Sequence, residues 1–139
     1  MAANTQPIFP ITPNFWSVSI APADTTATKT VGTSGANGGR VMRLLFLSTD
    51  TVARDVNILI GGVIVGCVSV PALCGQPAAP ATVGPLDAFA STTLFKLCYF
   101  DQAGNLCLDL PASTVLGVAA AVTITAAKTI TAVAVEGDF

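Results

Sequence analysis

The side chains able to do acid, base or nucleophilic chemistry are few. The 139 residues hold four cysteines, three lysines, seven aspartates and one glutamate, and no histidine. A Ser-His-Asp triad, a histidine metal site and a histidine pH switch are therefore excluded. The cysteines fall as Cys67-x6-Cys74 and Cys98-x8-Cys107, whereas structural zinc sites favour ligand pairs with about two to four residues between them. A cysteine nucleophile needs a base. Lys29, Lys96 and Lys128 each fall in or beside a Thr-rich strand or opposite an acid, the ordinary place of a solvated lysine. Asp101 and Asp138 stand at a turn and at the C-terminal end, and Asp24, Asp50 and Asp55 at loop or strand edges. Nothing in that spacing makes the carboxylate pair of a glycoside hydrolase. Asp101-Gln102-Ala103-Gly104-Asn105 lacks the alternating acids and distal Glu of a calcium loop and reads as a hairpin turn. No Gly-rich segment precedes a helix to cradle phosphate. No catalytic, cofactor-binding or metal-binding residue is nominated, and no enzyme is expected.

Such a chain is held together by apolar surface rather than charge. Only 10% of its residues are charged, against roughly 25% in an ordinary soluble domain, while 52% are hydrophobic. A net charge of −2 with this apolar content excludes disorder. Six scattered Lys and Arg make no basic patch, so nucleic acid is not an expected partner. The most apolar run, Ile58 to Leu73, is β-branched and broken by Gly61-Gly62, shorter than the roughly 20 residues of a spanning helix. Neither a membrane span nor a signal sequence is expected. The excess apolar surface is expected to be buried against other subunits.

The elements read as almost wholly β. Strands are expected at Phe15–Ile20, Thr28–Gly32, Arg40–Ser48, Arg54–Ile60, Val63–Val70, Leu94–Phe100, Asn105–Leu110, Gly117–Thr125 and Thr129–Val135. One helical turn is allowed at Leu86–Ala90. Nine short strands with tight turns imply a single-domain antiparallel β-sandwich. Gly61-Gly62 marks one hairpin. For the hairpin around Asp101–Gly104, a three-residue loop would set Leu97 opposite Asp109 and Lys96 opposite Leu110. A four-residue loop sorts the faces, with Phe100 opposite Asn105, Cys98 opposite Cys107 and Lys96 opposite Asp109, and is the expected register. Cys98 and Cys107 would then lie within disulfide reach; reduced, structural thiols are the expectation for a cytosolic product. Val41–Leu47 is apolar on both faces apart from Arg43, as befits a central strand whose second face meets a loop or a neighbour.

The N-terminus differs. Pro7, Pro10 and Pro13 recur every third residue with Ile8, Phe9 and Ile11 between them, a spacing that suits polyproline II. Residues 1–14 are read as an extended arm and 15–139 as the sandwich. The arm rests either along its own sandwich or on a neighbouring surface. Ile8, Phe9, Ile11 and the aromatic pair Phe15-Trp16 are the nominated contacts for other subunits or partners, aromatics being strong anchors in desolvated interfaces. Ala72–Ala90, with Pro77, Pro80 and Pro85, is a candidate contact loop.

The C-terminal half, Gly104–Ser113, then Val118–Thr125, then Thr129–Val135 ending Glu136-Gly137-Asp138-Phe139, resembles small virion proteins of tailed bacteriophages. The front half is similar too, with Asn4-Thr5-Gln6-Pro7, Thr26–Val31, the Gly35–Val41 turn and the Gly-Gly hairpin. The four cysteines and the Pro-rich loop depart from that pattern. The resemblance implies a jelly-roll-like sandwich that decorates or cements the outside of the phage head. Its partners would be the major capsid protein and further copies of itself, as a trimer in preference to a dimer. It would be assembled in the host cytoplasm and would reside on the outer capsid surface. The competing expectation is a receptor- or carbohydrate-binding β-sandwich module of a head fibre or tail.

Overall fold

Alternating apolar and polar residues, with Gly and Pro at the breaks, fold the described residues into ten strands. The computed structural model describes residues 12–76, 84–90, 97–101 and 103–139. The strands are β1 (Thr12–Ile20), β2 (Lys29–Thr33), β3 (Gly39–Ser48), β4 (Arg54–Ile60), β5 (Val63–Val70), β6 (Leu86–Asp87), β7 (Tyr99–Phe100), β8 (Leu106–Leu110), β9 (Val115–Ala120) and β10 (Ile130–Asp138). Short 3-10 turns fall at Pro22–Asp24 and Ala88–Ala90, the second within the one segment where a helical turn was allowed.

One sheet runs β1-β10-β3-β8-β7, with β6 also beside β3, and the other runs β2-β9-β4-β5. Every pairing is antiparallel. β10 lies between β1 and β3 in the first sheet, and β9 lies between β2 and β4 in the second. Late strands thus insert between early ones in both layers, the nesting of a jelly roll. Between the layers Trp16, Val18 and Ile20 of β1, Ala132 and Ala134 of β10, and Val41, Leu44 and Phe46 of β3 meet Val56 and Ile58 of β4 and Leu116, Val118 and Ala120 of β9.

β4, β5 and the Gly-Gly turn stand where the sequence placed them. Ile60 pairs with Val63, and Gly61 and Gly62 have φ of 59° and 83°, the positive values a primed two-residue turn demands. The apolar run from Ile58 is therefore a hairpin. Among the described residues no helix is long and apolar enough to cross a membrane. β3 is central in its sheet, and its second face does meet a loop. A Cβ on Gly75 would stand 3.0 Å from Leu47 Cδ2 and 3.3 Å from Pro85 Cγ.

Other expectations are corrected. β1 begins at Thr12, because Thr12, Pro13 and Asn14 pair with Asp138, Gly137 and Glu136; those three residues belong to the sandwich and not to the arm. Residues 1–11, including Ile8, Phe9 and Ile11, lie outside the described residues, as do residues 77–83 of the Pro-rich loop. β9 stops at Ala120 rather than Thr125. Ala121 N–H donates to Asp55 O at 3.0 Å, and the Thr125 N–H and hydroxyl both go to the Asp50 carboxylate, so Thr125 has no ladder to join.

The β7–β8 hairpin takes the register set aside on hydrophobic grounds. Tyr99 pairs with Cys107 and Phe100 with Leu106. Asp101 N–H donates to Asn105 O at 2.9 Å, leaving three residues between that bonded pair. Local chemistry outweighs the face-sorting argument: Asp101 Oδ1 accepts from the Ala103 and Asn105 N–H groups, both at 2.9 Å. Gly104, with φ of 82°, supplies the left-handed residue that ends such a loop. Cys98 is therefore not opposite Cys107, and the four cysteines carry no disulfide. The part of this hairpin expected from Leu94 to Lys96 lies outside the described residues.

Candidate functional site

The nominated aromatic pair is divided by the pleat of β1. Phe15 points outward and is 71% exposed. Trp16 points inward and packs against the core, its indole over Gly32 of β2. The exposed Phe15 side chain shares a cross-strand row with Val135 of β10 and Arg43 of β3.

A second surface lies on the four-stranded sheet. Thr30, Gly117, Leu59 and Ile64 form one cross-strand row on its outer face, and Ala119, Asn57 and Cys67 form the next. Small side chains leave a shallow groove of about 420 Å³ bounded by Thr28, Leu59, Gly61 and Val115. Along these four strands the charged side chains are Lys29, Arg54 and Asp55. Lys29 is bridged to Asp24 and Arg54 to Asp50, which leaves Asp55 as the one charge of these strands without a salt bridge among the described residues. The face ends at β5, an edge strand carrying neither charge nor proline, with Val63 64% and Ile64 59% exposed. Natural edge strands are ordinarily protected by such residues or by a cover. Sequence reading missed this edge, although eight residues without charge beside a two-residue turn were its signal.

Among the described residues three clusters of titratable groups bear on a site. Asp50, fully buried, accepts from Thr125 N–H (3.0 Å), Thr125 Oγ1 (2.8 Å), Val52 N–H (3.0 Å) and Arg54 Nε (3.0 Å). Burial works to raise its pKa, but these donors outweigh it and hold the carboxyl at about 2. On the outer face of the first sheet, Arg40 Nε donates to Asp109 Oδ1 at 2.8 Å. Its guanidinium stands 5.4 Å from the ring centroids of both Tyr99 and Phe139, and the Tyr99 hydroxyl donates to Asp109. This cluster ties the last residue of the chain to β3, and its charges are mutually spent.

The third cluster corrects the expectation that no two acids pair. Glu136 and Asp138 alternate along β10, so both turn toward the same end of the sandwich, beside Asn14 of β1. Asn14 Nδ2 donates to Glu136 Oε2 at 2.8 Å and to Asp138 Oδ2 at 3.1 Å. Asp138 Oδ1 also accepts from Gly35 N–H at 2.8 Å. Glu136 is fully buried, and its Oε1 has no hydrogen-bond partner among the described residues. Burial, then the neighbouring Asp138, pushes the Glu136 pKa up against the lowering effect of Asn14. The Gly35 N–H in turn holds Asp138 below the usual carboxylate range.

No family model matches this chain, and neither curated proteins nor solved structures show a match.

The carboxyl pair has the opposed shifts of an acid–base couple, but a fully buried Glu136 gives no substrate a way in. The cysteines offer little nucleophilic character. Cys74 is buried and its Sγ donates to Phe46 O at 3.4 Å; Cys107 is buried and its Sγ donates to Tyr99 O at 3.5 Å. Burial raises the pKa of both and lifts Cys98 to about 11, which keeps them as thiols. Among the described residues no three Cys, Asp or Glu side chains converge as metal ligands. What the fold presents outward is apolar surface: Phe15 on one layer, and the groove and β5 edge on the other.

Proposed function

We propose that this protein is a structural virion component that binds the outer surface of a phage head and stabilises its lattice, as a decoration or cement protein. One observation carries the reading: a jelly-roll sandwich whose four-stranded sheet ends in an exposed, uncharged apolar edge at Val63 and Ile64. Cementing needs buried area and repetition rather than chemistry. At roughly 25 cal/mol per Å² of apolar surface, a modest footprint offsets part of the cost of association, and multiple contacts on a lattice add avidity. The sequence resemblance to tailed-phage virion proteins supports the same reading, with the major capsid protein and further copies of the chain as partners. A trimer is the preferred oligomer.

Carbohydrate binding is the less supported reading. Sugar sites present free aromatic faces beside acids and amides, whereas Trp16 is turned inward and Tyr99 is stacked on Arg40 and bonded to Asp109.

The deciding experiment adds purified protein to heads of the encoding phage stripped of accessory proteins, sediments them, and counts bound copies per major capsid subunit. Saturation at one or at a simple lattice fraction is the expected result. A handful of copies per particle, or none, overturns the proposal in favour of a fibre, tail or receptor-binding role.

A further inference from the structure

The end of the sandwich where β1 begins and β10 finishes holds a carboxylate in an unusual position. Glu136 is fully buried, yet one of its oxygens has no hydrogen-bond partner among the described residues. A buried ionised carboxylate without compensating donors is costly and is ordinarily relieved by taking up a proton. Among the described residues, the groups beside it offer no cation. β1 contributes the Asn14 amide. β10 contributes Asp138, itself an acid. The loop before β3 contributes the Gly35 N–H, already given to Asp138. β3 contributes Gly39 and Val41, while Arg40 between them bonds to Asp109. The space was made for this side chain, since a Cβ on Gly39 would stand 1.7 Å from Glu136 Oε1.

A metal ion is the other way to neutralise two acids, and the geometry argues against it. Asn14 Nδ2, a donor, already occupies the position between Glu136 Oε2 and Asp138 Oδ2 where a cation would bridge them.

We propose that Glu136, Asp138 and Asn14 form a proton-locked clasp that fastens the first residues of β1 to the last residues of β10. With Glu136 protonated, its acid proton is shared with Asp138 and the Asn14 amide bridges both side chains. When Glu136 loses that proton, its buried charge faces the Asp138 carboxylate, and the Asn14 amide is the donor they share. The clasp then opens, and Thr12–Asn14 and Glu136–Phe139 loosen together. The first residues of the sandwich thereby become an extension of the N-terminal segment under pH control. The two carboxyls titrate as a coupled pair, with Glu136 the member that holds the proton to higher pH.

Glu136 is the only glutamate in the chain, so labelling the full-length protein with carboxyl-13C glutamate gives a single side-chain carboxyl resonance. The expected result is a titration midpoint above that of an ordinary glutamate. At that midpoint, exchange of the Gly35 and Phe139 amides should accelerate by about tenfold beyond its intrinsic pH dependence. Glu136→Gln, which keeps shape and removes ionisation, should fold and abolish the acceleration. An ordinary or lowered midpoint overturns the proposal, as does amide protection that ignores the titration. A resonance that moves on adding calcium or magnesium at fixed pH also overturns it, in favour of a cation site. These readouts do not involve the capsid, so they stand apart from the proposed function.

Discussion

Gly32 lies directly beneath the Trp16 indole: a Cβ added at residue 32 would stand 2.0 Å from Trp16 Cδ2. The atom met is part of a rigid ring packed against the core, so the clash cannot be relieved by bending a flexible tip. Gly32→Ala is expected to destabilise the protein by about 1–3 kcal/mol, the usual cost of overpacking, and denaturant unfolding measures it. Gly32→Ala paired with Trp16→Leu should recover part of the loss, because the two positions share one space.

Phe15 makes the opposite prediction. With its ring 71% exposed, Phe15→Ser should leave stability within about 0.5 kcal/mol of wild type. In the stripped-head binding assay it should weaken association about tenfold or more, as loss of an aromatic anchor does. Unchanged binding would remove Phe15 from the contact surface.

How far the sequence reveals this molecule depends on the range of the forces involved. Strands β4 and β5 are legible to the residue, because β-branched runs and a Gly-Gly turn are local signals. The β7–β8 register is not legible from hydrophobic pattern alone, because the Asp101 carboxylate bonds two backbone N–H groups within its own loop and fixes the turn first. The start of β1 is hidden by Pro13, which reads as arm, yet an edge strand tolerates proline and β1 is an edge. The carboxyl clasp is hidden for a different reason. Its members Asn14 and Glu136 are 122 residues apart and become neighbours only through jelly-roll nesting. Only the alternation Glu136-x-Asp138 on a strand could have suggested that two acids share a face.

Asp50 should set the acid limit of stability. Its folded pKa is about 2, below the usual value of about 3.9. A depressed carboxyl stabilises the fold above its unfolded pKa, and that stability is lost as pH falls through the folded pKa. Stability should therefore decline between about pH 4 and pH 2, as followed by thermal melts. Asp50→Ala leaves the Arg54 guanidinium and the Thr125 N–H without their shared partner. It should cost about 3–5 kcal/mol at neutral pH and flatten the Asp50 contribution to the acid decline.

Ile64 tests the β5 edge. A charge on an exposed edge strand opposes pairing with another strand, and Ile64 is 59% exposed beside the Gly61-Gly62 turn. Ile64→Lys is expected to fold normally and to shift the sedimentation equilibrium of the purified protein toward monomer. A wild-type oligomer that survives Ile64→Lys unchanged would place self-association on another surface.

Truncation separates the arm from the strand it leads into. Removing residues 1–11 leaves every β1–β10 pair in place, since pairing begins at Thr12 with Asp138. Removing residues 1–14 also takes Asn14, the donor to both Glu136 and Asp138, and leaves those acids facing each other. The shorter deletion should melt within about 1 kcal/mol of the full chain, since it removes no residue of the ten strands, while binding stripped heads more weakly. The longer deletion should lose further stability, because buried acids left without their donor cost more than the contact they made. That added loss should shrink as pH rises, because ionisation of Glu136 opens the clasp in the full chain as well: a group with a raised folded pKa stabilises below its unfolded value and loses that contribution on passing through the folded one. Equal head binding by the 1–11 deletion and the full chain would show that the arm makes no capsid contact.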